Sequence, residues 1–176
     1  MGSLRAKADA IRTRLAKSIN TKYQENPAYY ENFSKRIKEA LELYKARTIT
    51  EAEYLAKMRD ILEDYRTGKS AIAYPDRIRA NVHAQAFYGV LTAIFSNEKL
   101  SVEPDFAAEM ALDITTIIEK HSQVDWTHNL TIHDRISQDI DDLFYRYQKE
   151  MGLVLSFDVI DMIIENVKTV ALRRFA

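Results

Sequence analysis

The residues Gly68-Lys69-Ser70 are of the types that end a phosphate-binding P-loop, where a lysine reaches the terminal phosphates and backbone N–H groups wrap them. That wrapping needs a glycine five positions before the last one, and Glu63 stands there. It also needs a strand ahead of the loop, whereas the residues ahead of Gly68 have helical spacing. The triplet therefore reads as a helix-ending glycine followed by a polar loop. Magnesium-dependent cleavage of the restriction type needs an acid two residues before a lysine on a strand, and no Asp or Glu of this chain has one. Two-metal hydrolysis needs carboxylates converging on cations about 3.5–4 Å apart. Asp139, Asp141 and Asp142 fall within one helical turn but point around it, which predicts a solvated acidic face. The four histidines, His83, His121, His128 and His133, miss the i, i+4 spacing of a helical zinc pair. The chain has no cysteine, which removes thiolate ligands, disulfides and a thiol nucleophile together. No catalytic residue, metal site or cofactor is expected in this chain, and it is not expected to be an enzyme.

What remains is charge. The formal net charge is −1, so any attraction to a polyanion must come from distribution rather than total. From Met1 to Lys22 there are six basic residues against Asp9 alone. From Glu98 to Asp142 eleven acidic side chains face only Lys99, Lys120 and Arg135. The basic stretch supplies the candidates for DNA-backbone contact: Arg5, Arg12, Arg14, Lys17 and Lys22. Lys69, Arg77 and Arg79 are the contacts a nucleotide-binding alternative would use, although no glycine-rich nest accompanies them.

The elements that must position these residues are helices. Four glycines and three prolines are too few for the turns of a sandwich or barrel. Apolar residues recur at helical spacing in seven stripes, the first being Leu4, Ala8, Ile11, Leu15 and Ile19, and the last Ile160, Ile163, Ile164, Val167, Val170 and Ala171. Most of the ten tyrosines and seven phenylalanines fall on these stripes, where they fill a core rather than stack on bases. Boundary signals agree. Asn26-Pro27 and the Thr50…Glu53 capping box open helices, and Pro75, Pro104, Thr131…Asp134 and Ser156…Asp158 are expected to open others. Gly68 and Gly152 stand where helices should stop. The expected fold class is all-α, a bundle of about seven helices, more than about 60% helical and without a sheet. Its parts are a three-helix segment over 1–66, a linker over 67–74 and a four-helix segment over 75–176, forming one compact domain or two lobes. No apolar run approaches the roughly 18–20 residues of a membrane span, and the first residues have no apolar signal core. A soluble, cytoplasmic chain with no membrane contact is the expectation.

Two segments resemble a known family. Asn26 to Met58, with Asn26-Pro27, Tyr29-Tyr30, Ser34 and an amphipathic helix, is similar to a segment near the end of type I restriction enzyme R subunits. From Tyr74 onward, Asp125-Trp126 followed by Asn129, Ile132 and Arg135, then a final helix from Ser156 to Phe175, resembles the same family. The resemblance implies a C-terminal helical assembly domain that docks an ATP-dependent DNA translocase and endonuclease onto the methyltransferase (modification) subunit. ATP and Mg2+ would serve the parent subunit, not this chain, and DNA would be a further partner through its backbone. It carries over Asp125, Trp126 and Asn129 as structural positions only, with Trp126 packed between helices. A nucleotide-binding fragment of the motor and a free-standing helical adaptor stand as the alternatives.

Overall fold

The structure is a computed structural model that describes residues 2–176. It is all-α, 79% helical, with no strand among the described residues, and so exceeds the helix content expected from the stripes. Seven α-helices follow one another: α1 (Leu4–Lys22), α2 (Pro27–Lys45), α3 (Glu51–Thr67), α4 (Val82–Asn97), α5 (Pro104–His121), α6 (Leu130–Met151) and α7 (Phe157–Arg174). At 16 to 22 residues each, these helices draw most of their stability from the apolar faces they bury rather than from propensity.

Most ends are built as the sequence predicts. Thr50 and Glu53 form the reciprocal capping box, with backbone-to-side-chain distances of 3.1 and 3.3 Å. Ser156 Oγ accepts from the Val159 N–H at the start of α7. Gly68 and Gly152 close α3 and α6 at φ of 75° and 68°, the left-handed conformation that a side chain would strain. Two openings differ. Pro75 begins only a 3₁₀ turn over Asp76–Ile78, and α4 starts at Val82, where Asn81 Oδ1 accepts from the Ala84 N–H. The apolar run from Val82 is long and that around Ile78 is not, so the cap nearer the long run sets the helix. Likewise Asn129, not Thr131, caps α6, its Oδ1 taking the N–H groups of Thr131 and Ile132.

The chain forms two compact units. One runs to Tyr23 and resumes over Ala28–Ala73; the other comprises Gln24–Pro27 and Tyr74–Ala176. In the first unit α1 and α3 form the close pair, and α2 packs on them through aromatic rings. Phe33 lies edge-on to Tyr29 and Tyr65 at 5.1 and 5.3 Å between ring centres, and Tyr44 stacks on Tyr54 at 4.7 Å. Such ring pairs add roughly 0.5–1.5 kcal/mol each beyond area burial.

In the second unit α4 neighbours α5 and α7, α5 neighbours α6, and α6 neighbours α7, which closes a ring of four helices. Its core includes Phe87, Leu91, Met110, Ile114, Ile118, Ile136, Phe144 and Ile163, all at 0% exposure, so no solvent reaches the middle of the ring. Two polar links cross between α5 and α6. The Tyr147 hydroxyl donates to the Asp113 carboxylate, and burial together with that carboxylate pushes the phenol's pKa well above its ordinary value. His121 Nε2 lies 2.6 Å from Asp139 Oδ2, with Lys120 Nζ 3.6 Å from the same oxygen. Asp139 is therefore bound across helices rather than being one of a solvated face, while Asp142 accepts from Gln138 of its own helix.

Trp126 sits in a 3₁₀ turn, Trp126–His128, that follows Asp125 in the left-handed region at φ 60°, a conformation aspartate tolerates. The ring is 2% exposed, its Nε1–H donates to the Phe175 carbonyl at 2.8 Å, and His133 packs edge-on against it. Trp126 thus ties the α5–α6 connection to the end of α7. Trp126→Ala should destabilise the second unit by about 3–5 kcal/mol, read as a fall in urea midpoint. The hydrogen bond from His121 is the main cause holding the Asp139 carboxyl below its usual range; Lys120 assists and burial opposes. A depressed carboxylate contributes stability that is complete above its unfolded value and is lost as pH falls through the folded one. On the acid side, below about pH 4, Asp139→Asn should therefore show a shallower loss of urea midpoint than the parent chain.

Candidate nucleic-acid interface

The five candidate cations all lie on α1, as does Lys7, and α1 is held in one rotation by two tyrosines of α3. Tyr54, fully buried, donates its hydroxyl to Asp9 Oδ1 at 3.0 Å, and burial with that carboxylate raises its pKa, so it stays a proton donor. Further along, Ser18 Oγ and the Tyr65 hydroxyl are 2.6 Å apart. Both contacts advance in the same direction on both helices, so α1 and α3 run parallel. Tyr44 reaches back to Glu51, and Arg36 to Asp64 at 2.7 Å, so α2 runs against them.

This rotation divides the cations. Arg5 Nε and Arg12 Nη2 lie 3.6 and 3.5 Å from the Asp9 carboxylate, on the flank where Tyr54 also bonds it. Arg12 turns toward an open groove between α1 and α2, about 380 Å³, whose lining includes Ile19, Tyr23, Ile37 and Lys38; its Nε is buried without a hydrogen-bond partner. Arg14, Lys17 and Lys22 take the other flank. There they line an open groove of about 570 Å³ between α1 and α3, together with Arg66. Leu15, Leu62 and Tyr65 supply its apolar surface, and no acidic side chain lines it. Among the described residues none of these four cations is in an ion pair, whereas Asp9 holds Arg5 and Arg12, and Asp64 holds Arg36.

Arg66 is absent from the sequence-derived candidates because it belongs to a different helix, and only the parallel pairing of α1 with α3 brings it beside Lys22. A faint signal existed: it stands in the last turn of α3, next to Tyr65 on the apolar stripe. The nucleotide alternative fares differently. The Lys69 N–H donates to Asp64 O as part of the α3 ending, and Arg79 is ion-paired with Asp76 three residues before it. Neither residue is joined by a glycine nest. Among the described residues no group of three or more His, Asp or Glu converges as a metal site, and no helix is long and apolar enough to cross a membrane.

Asp125 and Asn129 are placed as the frame of the Trp126 turn, the first by its backbone conformation and the second by capping α6. Exposed apolar side chains of the second unit include two sets at helix connections, besides Val82, Tyr145 and Met162 on the helices themselves. Met151, Val154 and Phe157 flank the α6–α7 turn, Val154 at 83% and Phe157 at 85% exposure; Val124 and Leu130 lie at the α5–α6 turn.

Comparison with known proteins agrees with the resemblance carried by the sequence. The family described as type I restriction enzyme HindI endonuclease subunit-like, C-terminal, matches residues 1–171. The type I restriction enzyme HindI endonuclease subunit of Haemophilus influenzae is 25% identical over 127 residues, which is 72% of this chain and 12% of that protein. This chain therefore corresponds to a small part of that relative's length. No solved structure matches. A match spanning 1–171 of 176 residues is close to the whole chain, and the chain belongs to the family of type I restriction enzyme HindI endonuclease subunit-like C-terminal domains.

Proposed function

We propose that this chain is a non-catalytic assembly domain that docks the endonuclease subunit of a type I restriction enzyme onto its methyltransferase subunit. Family membership suggests a multi-subunit setting, and one observation supports the docking reading: Phe157, the first residue of α7, is 85% exposed, and Val154 and Met151 of the same connection are exposed too. A phenylalanine at a helix start needs no exposure for the fold, since Ser156 already caps α7 and the core-facing residues begin with Val159 and Ile160. Burying such a side chain against a partner contributes about 1.5–3 kcal/mol, the size of an interface anchor. Catalysis by the parent subunit falls to residues outside this chain, in which among the described residues no group of three or more His, Asp or Glu converges as a metal site.

The test is co-elution with the methyltransferase core on size-exclusion chromatography. Wild type should shift into a complex that persists at moderate salt, because apolar burial is little screened. The double variant Val154→Asp, Phe157→Asp should elute alone while keeping its circular dichroism and urea midpoint, as both side chains face solvent. The chain should also show no magnesium-dependent DNA cleavage. Cleavage lost on changing one acidic residue would refute the non-catalytic part.

A further inference from the structure

We infer that His83 and Arg174 form a proton-sensitive latch that holds the connection between α1 and α2 onto the second unit. That connection, Gln24–Pro27, belongs to the second unit, while the residues on either side of it do not. Asn26 within it is buried. Arg174, in the last turn of α7, reaches it across 149 positions of sequence, donating from Nη1 to the Glu25 carbonyl at 2.8 Å. The same guanidinium donates from Nε to His83 Nδ1 on α4 at 3.0 Å. Its donors are fixed in a planar fork, so the bond at Nε sets the plane in which Nη1 meets Glu25. The next residue is held as well. The Phe175 ring lies 4.3 Å from the His83 ring, and the Phe175 carbonyl accepts from Trp126 Nε1 at 2.8 Å. The helix dipole explains a cation in this turn, as it does for exposed Arg173, but not one turned inward onto a histidine.

His83 is the part that can change. Its Nδ1 accepts only in the neutral ring, with the proton on Nε2. A second proton, on Nδ1, removes the acceptor and sets an imidazolium against the guanidinium. The charged groups that face the ring are Arg174 from α7, which resists protonation, and Glu119 from α5, which favours it. From the connection, Glu25 takes part through its backbone carbonyl. Burial first, and Arg174 second, hold the His83 pKa below its ordinary value against the pull of Glu119. Released from Arg174, the ring returns toward the ordinary value of about 6.5. The latch is therefore fully closed above that value and weakens as pH falls toward the lower, closed-state one. Each pH unit between the two values makes opening about tenfold easier on the acid side. His121 is the contrast. It faces the Asp139 carboxylate, where a proton strengthens the contact instead of breaking it. The latch uses none of Met151, Val154 or Phe157, so it does not depend on the docking role.

The experiment measures cleavage of the Glu25–Asn26 bond by a glutamate-specific protease in the 176-residue chain. Rates are taken from about pH 7.5 to about pH 5 and divided by those of an unfolded peptide spanning the bond, so that only the opening of the latch remains. The normalised rate should rise at least about threefold, starting below about pH 6.5 and levelling off below the His83 midpoint read by NMR. His83→Gln keeps an acceptor for Arg174 without a group that titrates, and its rate should stay flat within about twofold. Arg174→Lys keeps the charge but lacks the fork, and should be cleaved at the acid-side rate already at neutral pH, with unchanged circular dichroism. Glu119→Gln should lower the His83 midpoint further. The inference is overturned if the wild type shows no rise, if His83→Gln keeps the rise, or if Arg174→Lys is as protected as the wild type. It is also overturned if cleavage rises equally at glutamates throughout the second unit, since the proton would then loosen the whole unit. Should Arg174→Lys lose its circular dichroism, the rise in the wild type and its absence in His83→Gln decide the matter between them.

Discussion

The rotation of α1 about its own axis is the constraint on which the functional reading depends. Two hydroxyl contacts set it, Tyr54 to Asp9 and Tyr65 to Ser18, alongside the buried stripe of Ala8, Leu15 and Ile19. Hydrophobic burial alone specifies a face only loosely, because a stripe can roll by some tens of degrees before losing much area. The Tyr54 end does not tolerate that roll, since its buried phenol left without the Asp9 acceptor costs about 1–3 kcal/mol, and the half-buried Tyr65–Ser18 contact adds a second tie at the other end. With the roll fixed, Arg5 and Arg12 must fall on the Asp9 flank, and Arg14, Lys17 and Lys22 on the other. A one-residue shift in this seam would rotate α1 by about 100° and place the second set elsewhere.

Charge is handled differently in the two units. The long acidic stretch of the second unit is partly consumed internally: Asp113 accepts from buried Tyr147 and lies 3.9 Å from Arg146, and Asp139 is bound by His121 and Lys120. These are links between α5 and α6, so acidic residues there serve the ring of helices. In the first unit the surplus is basic, and among the described residues Arg14, Lys17, Lys22 and Arg66 are in no ion pair. An excess of one sign that a fold leaves uncompensated favours an external partner of the other sign, whereas an excess tied into interhelical bonds does not.

Much of the fold was legible because local rules and tertiary packing agree in this chain. The Thr50…Glu53 box, the two helix-ending glycines and Ser156 acted where their chemistry predicts. The misplacements at Pro75 and Thr131 share a cause. Each stretch offers two helix-opening residues a few positions apart, Pro75 and Asn81 in one case, Asn129 and Thr131 in the other, and the start of the buried run decides between them. The candidate site was half legible. Cations on α1 were visible as a count, but their division between Asp9 and the groove is a matter of which side of the Leu15–Ile19 stripe each occupies. Arg66 was not visible at all, because no local rule says that α1 and α3 lie side by side and parallel. The His121–Asp139 link escaped for the same reason, its partners being 18 residues apart on different helices.

An apolar anchor and a basic flank on one chain would answer two different physical demands. A subunit held to a partner needs contacts whose strength changes little with ionic strength, and buried phenylalanine and valine side chains provide that. A contact with DNA that must hold at any register should instead carry no sequence information of its own. Phosphate contacts meet that requirement, because every base step presents the same charge. Their salt sensitivity follows from the same origin, since each neutralised phosphate releases counterions and each release is weakened as the bulk salt rises. Because Phe157 lies on the second unit and the α1 cations on the first, either surface can change without disturbing the core that supports the other. A charge substitution on α1 leaves the ring of α4 to α7 intact, and a change at Phe157 leaves the Tyr54–Asp9 and Tyr65–Ser18 contacts in place.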